Sequence, residues 1–176
     1  MPINSSKKVI LFFCLLVSCV YTQAQTKEET VAYIDKLVSE SKPEITDTDA
    51  SGCKSIYRTS YQHFTENRFD ASFKNDFNSS NNPSCAPHSS EFISQSYEQI
   101  NYKYLIDSLE IRKLKSAIYS ALVIRFSKKI IEKFNSRPGM ANSFEITIPI
   151  DKVANVKRAL LHLKELTLKE KDLFDN

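Results

Sequence analysis

Glycine is scarce in this chain: among 176 residues there are only two, Gly52 and Gly139, and tryptophan is absent. The phosphate-binding loops of P-loop and Rossmann enzymes need several closely spaced glycines, because the backbone must turn sharply and approach the phosphate oxygens. Two isolated glycines cannot build such a loop. The sequence therefore excludes these classes of nucleotide-binding enzyme, and it indicates no cofactor.

Long apolar runs are also missing, since the longest, residues 9–17, has nine side chains and a membrane-spanning helix needs about 20. Lys7 and Lys8 precede this run, and small or polar residues follow it. Positive charge, a short apolar segment and a polar end, in this order, are typical of a secretory signal. We therefore expect residues 1–24 to be a signal peptide and residues 25–176 to act outside the cytoplasm, in the periplasm or as a secreted protein.

The expected signal has two candidate cleavage sites. The polar stretch before Ala24, with Thr22 as the second small residue, favours ordinary cleavage after Ala24. The alternative is residues 16–19 (LVSC), which resemble a bacterial lipobox. Cys19 would then be the lipidated first residue of a lipoprotein, and its lipid would hold the protein at a membrane without a spanning helix.

Charge of one sign does not dominate the sequence. The chain carries 24 lysines and arginines against 21 acidic residues, and two of the lysines lie in the expected signal. The remaining, near-neutral part lacks the electrostatic signature of a nucleic-acid-binding protein, so we expect no nucleic-acid partner. Its length and an apolar content of 41% suit a single domain with one hydrophobic core.

Cysteine is sparse as well, because only Cys53 and Cys85 lie beyond residue 24. An even pair in an oxidising compartment is most simply a disulfide. Such a bond would contribute about 3–4 kcal/mol in the chain-entropy model. Together with His63 and His88, the same cysteines make a Cys2His2 set of zinc ligands. Their spacing is unlike that of a zinc finger, so the disulfide is favoured.

Two helices have clear local signals. Thr26 and Glu29 form a capping box at the start of residues 26–42. Pro43 ends this segment, because the residue before a proline avoids the helical region. A second helix is predicted to begin near Asp151, its candidate cap. Its apolar face contains Val153, Val156, Ala159, Leu160, Leu163 and Leu166.

Between these helices the pattern indicates strands. Residues 44–52 and 78–90 have the composition of loops, and residues 137–139 that of a turn. Strands are predicted within residues 56–64, 69–77, 92–111, 118–126 and 144–150. Residues 111–134 also fit one long helix, but their β-branched and aromatic side chains favour strands.

The order of elements predicts an α+β fold. We expect an antiparallel, bent sheet or roll of about five to seven strands, covered on one side, with an N-terminal helix and a C-terminal amphipathic helix. Residues 25–176 would form this single domain, after the signal peptide at residues 1–24.

The two ends of the chain carry a resemblance. Gln23, Ala24 and Gln25 surround the end of the expected signal, the first helix opens with residues 27–30 (KEET), and the second contains residues 157–163 (KRALLHL). In these segments the chain resembles small, uncharacterised exported proteins of Bacteroidota. The layout is similar to pleckstrin-homology-like rolls, in which a C-terminal helix plugs a bent sheet. The resemblance implies this fold and no catalytic residue.

One short segment resembles part of a calcium site. Residues 47–52 (DTDASG) match the first half of an EF-hand loop, in which alternate oxygens, here those of Asp47, Asp49 and Ser51, bind the ion. The twelfth position of that loop, where a glutamate belongs, is Arg58. An acidic turn is therefore favoured over a metal site.

Basic residues are concentrated between residues 112 and 137, where Glu132 is the single acid. The basic residues are Arg112, Lys113, Lys115, Arg125, Lys128, Lys129, Lys133 and Arg137. One interpretation is that these side chains are solvated or form ion pairs with the acidic residues near the first helix. The other is that they form a surface that binds an anionic ligand or another exported protein.

Taken together, these patterns favour a non-catalytic binding or interaction module over an enzyme. The alternative is a small extracytoplasmic hydrolase that uses residues near His63 and His88. A hydrolase requires those residues to converge in a pocket, whereas a binding module requires only an exposed patch. A membrane partner is expected only if Cys19 is lipidated.

A charge placed inside residues 9–17 tests the export hypothesis. Leu15→Arg should leave unprocessed precursor in the cytoplasm, because an arginine in the middle of an inserted segment costs about 2.5–3.5 kcal/mol. Cys19→Ala should leave cleavage after Ala24 intact, but it should abolish membrane retention of a lipoprotein. Cell fractionation with N-terminal sequencing separates these results, and an unprocessed, cytoplasmic wild-type protein would contradict the hypothesis.

Overall fold

The computed structural model of the protein describes residues 25–78 and 82–174, with side chains up to residue 170. The expected signal peptide, with Cys19, therefore lies outside the described residues. Within the described part of the chain, no helix is long and apolar enough to cross a membrane.

The first helix, α1 (Lys27–Ser39), begins at the predicted capping box. The hydroxyl of Thr26 accepts a hydrogen bond from the Glu29 N–H at 3.1 Å, and the Glu29 carboxylate accepts one from the Thr26 N–H at 2.9 Å. Ile34 and Val38 are completely buried on the face that meets the sheet and the second helix. The predicted start is therefore confirmed, whereas the helix ends at Ser39 rather than at residue 42.

Seven antiparallel strands follow, in agreement with the predicted α+β fold. They are β1 (Glu44–Thr48), β2 (Lys54–Phe64), β3 (Arg68–Phe77), β4 (Ser89–Glu98), β5 (Glu110–Lys113), β6 (Tyr119–Phe134) and β7 (Arg137–Pro149). Their order in the curled sheet is β1-β2-β3-β4-β6-β5, and β7 pairs with the other edge of β6. A short 3-10 turn at Tyr102–Tyr104 lies between β4 and β5, and another at Ile150–Lys152 connects β7 to helix α2 (Val153–Phe174).

Two local predictions were wrong. Residues 44–52 were expected to be a loop, but Glu44–Thr48 forms the edge strand β1. Its polar side chains are tolerated because only β2 pairs with it. The turn lies at Asn135 and Ser136, whose φ values of 47° and 65° are those of a two-residue hairpin turn, and not at residues 137–139. Pro138 is accommodated because β7 is itself an edge strand.

The hydrophobic core lies between the curled sheet and the two helices. Phe144 of β7 is at its centre, with ring centroids 5.0 Å from Phe69, 5.2 Å from Tyr97 and 5.8 Å from Phe126. The predicted apolar face of α2 packs here, with Leu160 and Leu163 completely buried. These contacts use β6, β7 and the ends of β2, β3 and β4 nearest the helices.

Gln62 closes the roll between β2 and β7. The ladder between β1 and β2 ends at Arg58, so the next part of β2 lacks a strand partner on that side. There the Gln62 side-chain amide donates to the Thr147 carbonyl at 2.9 Å and accepts from the Thr147 N–H at 3.1 Å. It also donates to the Ser41 carbonyl, just after α1, at 3.1 Å. One buried side-chain amide, 2% exposed, thus pairs with the backbone of Thr147 in β7 as a neighbouring strand would.

Replacing this amide should destabilise the fold strongly. Gln62→Met keeps the shape but leaves the N–H and C=O of Thr147 and the Ser41 carbonyl without their partner. At about 1–3 kcal/mol for each unsatisfied buried group, we expect a loss of about 2–4 kcal/mol after relaxation. Urea denaturation measures it. Gln95→Met, which removes an amide that has no hydrogen bond among the described residues, should change stability by less than about 0.5 kcal/mol. Equal effects of the two substitutions would contradict the role given to Gln62.

Candidate functional site

A groove of about 630 Å³ opens at the end of the roll that the core does not fill. One side is made by β1 to β4, and the other by residues 112–115, which are the end of β5 and the start of the following loop. Phe134 and Thr147 complete the lining from β6 and β7. The groove is thus built from every strand of the sheet, and its shape depends on the curl.

Strand alternation and register create an apolar floor. Ile45 of β1 lies opposite Tyr57 of β2, and Phe73 of β3 lies opposite Ile93 of β4. Side chains opposite each other in an antiparallel pair share a face, so these residues make a continuous surface across four strands. Tyr57 is 38% exposed and Phe134 is 42% exposed. Such exposure of large apolar side chains in one concave surface is a feature of ligand-binding sites.

The opposite wall is cationic. Arg112, Lys113 and Lys115, three residues of the predicted basic patch, line the groove. Arg112 Nε is 3.1 Å from a carboxylate oxygen of Glu145, and Lys115 Nζ is 2.5 Å from Asp47. Lys113 is exposed and has no ion pair among the side chains that the structure describes. The wall therefore offers one uncompensated ammonium group beside two paired cations.

A polar cluster behind the floor holds the four strands together. Asp76, 6% exposed, accepts a hydrogen bond from the Ser90 hydroxyl at 2.5 Å and contacts Lys74 Nζ at 3.0 Å. It also pairs with the Arg58 guanidinium, which contacts Glu44 of β1 at 2.7 Å. The Ser90 hydrogen bond and the positive charges of Lys74 and Arg58 lower the pKa of Asp76 to about 2. The ionised carboxylate links the backs of all four strands.

The predicted disulfide is confirmed. Cys53 and Cys85 are bonded, with 5.7 Å between their Cα atoms and 32 positions between them in sequence. The bond joins the loop between β1 and β2 to the segment between β3 and β4. It therefore restrains the outer ends of the four strands that carry the groove floor. Its sulfurs are not available to the alternative zinc set.

The candidate calcium ligands have other contacts. Asp47 lies in β1 and pairs with Lys115 across the groove. The Asp49 carboxylate accepts the N–H groups of Ser51 and Cys53 at 2.8 Å and 2.9 Å, which closes the turn of the β1–β2 hairpin. Within the described residues, no group of three or more histidine, cysteine or acidic side chains is placed to hold a metal ion.

His63 and His88 do not converge. The Nδ1 of His63 is 2.9 Å from a carboxylate oxygen of Asp35, which also accepts the Phe64 N–H. His63 lies opposite Asp70 in β3, whereas His88 immediately precedes β4, whose first residue lies opposite Phe77. Seven residues of strand at about 3.3 Å each separate these positions by about 23 Å.

The remaining members of the basic patch lie outside the groove. Arg125 pairs with Glu110 at 2.6 Å, and Lys133 pairs with Glu98 at 2.8 Å. Lys128 contacts the hydroxyl of Tyr104 at 2.9 Å. Among the described side chains, Lys129 and Arg137 form no ion pair. The basic segment is therefore divided between the groove wall, local ion pairs and the surface near Tyr104.

The apolar floor was missed in the sequence. Tyr57, Phe73 and Ile93 lie in segments whose strand character was predicted, but alternation alone does not say how far along the sheet the helices extend. The signal that could have indicated the floor is that large side chains continue along the core-facing side of these strands, from Phe69 to Phe73.

Comparison with protein families, curated proteins and solved structures gives no match to this chain. The resemblance to exported proteins of Bacteroidota and to pleckstrin-homology-like rolls therefore stays a prediction. The geometry of the groove is the available basis for a functional proposal.

The pKa of Asp76 predicts the acid sensitivity of the strands that form the groove floor. Because the folded pKa is about 2 and the ordinary value is 3.8, the unfolded chain binds up to one more proton here between these values. The contribution of ionised Asp76 is present above pH 4 or so and is lost as the pH falls toward about 2. Asp76→Asn should therefore flatten the fall of the unfolding free energy across this window, as measured by urea denaturation.

The control is Asp151→Asn, which removes an exposed carboxylate whose ion-pair partner is its neighbour Lys152. This variant should retain the steep dependence of the wild-type protein. A steep dependence in Asp76→Asn as well would show that Asp76 is not the group responsible.

Proposed function

We propose that this protein is an exported, non-catalytic binding module whose groove takes an amphipathic molecule with an anionic group. The observation that carries the proposal is the meeting of an apolar floor and the uncompensated Lys113 in one concave surface. The floor favours an apolar body, because each Å² removed from water contributes about 25 cal/mol. The ammonium group of Lys113 favours a negative charge at the rim.

The dimensions and rigidity of the groove support a small ligand. Its volume lies within the range of about 300–1,000 Å³ that is usual for small-molecule sites. The disulfide and the cluster around Asp76 restrain the strands that form its floor. A restrained site loses less conformational entropy when a ligand binds, so less of the binding energy is lost to ordering.

Two observations support action outside the cytoplasm. The order of charged, apolar and polar residues in residues 1–24 is that of an export signal. A disulfide between the only two cysteines beyond this segment is expected in an oxidising compartment.

The alternative, a hydrolase, has less support. It requires His63 and His88 to act together, and they lie at opposite ends of β3. The hydrogen bond between His63 and Asp35 orients an imidazole, as in catalytic pairs. Among the described residues, however, no serine, threonine or cysteine side chain forms a hydrogen bond with His63.

Two fluorescent probes with the same aromatic skeleton test the proposal. 8-Anilino-1-naphthalenesulfonate carries a sulfonate, and N-phenyl-1-naphthylamine does not. We expect both to bind the purified protein, with the charged probe more tightly bound. Lys113→Gln should weaken binding of the sulfonate about three- to tenfold, the effect of about 0.7–1.4 kcal/mol for one partly exposed charge pair. Fluorescence titration measures both affinities, and the uncharged probe should be unaffected.

Lys129→Gln is the matched control, because it removes the same charge outside the groove. Ile93→Thr, which makes the floor of the groove more polar, should weaken the binding of both probes. Equal sensitivity of sulfonate binding to Lys113→Gln and Lys129→Gln would show that the groove is not the binding site.

A further inference from the structure

The phenol of Tyr104 contacts two lysine side chains, and none of the three residues lines the groove. Lys128 Nζ is 2.9 Å from the Tyr104 hydroxyl oxygen and 4.3 Å from the centre of its ring. Lys103 Nζ is 4.9 Å from the same ring centre. Two ammonium groups therefore lie close to the half-buried side chain of Tyr104, which adds its own hydroxyl group.

Backbone contacts set this arrangement. Tyr104 ends the 3-10 turn that follows β4, and the next residue, Leu105, forms a β-bridge with Phe126 of β6. The Ser127 hydroxyl donates to the Tyr104 carbonyl at 3.3 Å. Lys128 lies in the irregular part of β6 between Arg125 and Ile130, where extra residues interrupt the pairing with β7. Irregularities of this kind often redirect a side chain near a functional site.

The charges at this place are not compensated. Among residues 25–78 and 82–170, no carboxylate forms an ion pair with Lys103, Lys128 or Lys129. In contrast, Arg125 on the same strand pairs with Glu110, and Lys164 of α2 pairs with Asp107. The fold thus holds two like charges beside one phenol without a counter-ion from the described chain.

We propose that Lys103, Tyr104 and Lys128 form a binding site for a phosphate or sulfate group. The two ammonium groups would each donate charge-assisted hydrogen bonds to the oxyanion, and the phenol O–H would donate a third. A doubly charged oxyanion suits two cations better than a singly charged carboxylate, because it offsets both charges. None of these residues lines the groove, so this site is independent of the proposed function.

The electrostatics of Tyr104 agree with this assignment. Its hydrogen bond from Lys128, together with the contact to Lys103 and both positive charges, lowers the pKa of Tyr104. The same groups that stabilise a tyrosinate would stabilise a bound oxyanion. A bound oxyanion would in turn raise the pKa of Tyr104, because it offsets the charges that lower it.

Isothermal titration calorimetry with inorganic phosphate, at neutral pH and constant ionic strength set with sodium chloride, tests the site on the purified protein. We expect saturable binding that Lys128→Gln and Tyr104→Phe each weaken about tenfold, since each removes one of three donors. Lys128→Arg, which keeps the charge, should retain most of the affinity. Lys129→Gln, the matched control on the next residue, should change the affinity by less than about twofold.

A second readout is specific to the phenol. The difference in tyrosinate absorbance between the wild-type protein and Tyr104→Phe reports the titration of Tyr104 alone, and phosphate should shift this titration to higher pH. Absence of phosphate binding, or binding that is equally sensitive to Lys128→Gln and Lys129→Gln, would overturn the proposal.

A separate experiment tests whether the oxyanion belongs to a lipid headgroup or to a soluble molecule. Vesicles of phosphatidylcholine with phosphatidic acid, whose phosphate monoester can carry two negative charges, are compared with vesicles of phosphatidylcholine alone in a sedimentation assay. Binding to the anionic vesicles that is lost in Lys128→Gln would support the site with a lipid headgroup as its source. Phosphate binding without vesicle binding would support the site with a soluble phosphate or sulfate as its ligand.

Discussion

The curl of the sheet brings β2 opposite β7, and the buried amide of Gln62 makes the hydrogen bonds that join them. A side-chain amide has one donor group and one acceptor group, like a peptide unit, so it can pair with the backbone of Thr147 where no strand is present. The same amide reaches the carbonyl of Ser41 at the end of α1. This residue therefore joins β2 to β7 and to the segment just after the first helix, and it closes the roll at this point.

Closure has a further consequence, because the two helices cover only part of the sheet. Their apolar faces fill the roll around Phe144. Tyr57 and Ile93 line the groove outside this core, and Phe73, which packs against the core, also lines the groove. The disulfide and the ionised Asp76 restrain these outer parts of the strands from the tip and from behind. An apolar surface that is restrained but uncovered is available for a ligand, and this is the physical basis of the proposed function.

The basic side chains of residues 112–137 also differ in whether they have an ion-pair partner. Arg125 and Lys133 of the basic segment have carboxylate partners close by, and their contribution is local. Lys113 in the groove wall has no ion pair among the described side chains, nor does Lys128 beside Tyr104. A run of basic residues in the sequence therefore corresponds to several distinct environments, and the ion-pair partner of each cation distinguishes them.

The sequence by itself determined those features of the fold that depend on residues close together in the chain or on the overall composition. The capping box at Thr26, the apolar face of α2 and the α+β class were predictable, and the even cysteine count indicated the disulfide. Strand β1 was not predictable, because an edge strand with polar side chains is defined by the strand that pairs with it. The turn at Asn135 was not predictable either, because Pro138 and Gly139 are typical turn residues although they lie in β7. Only the tertiary structure decided where along β3 the core at Phe69 ends and the groove at Phe73 begins, because both side chains lie on the same face of the strand and the extent of the helices over that face is set by long-range packing.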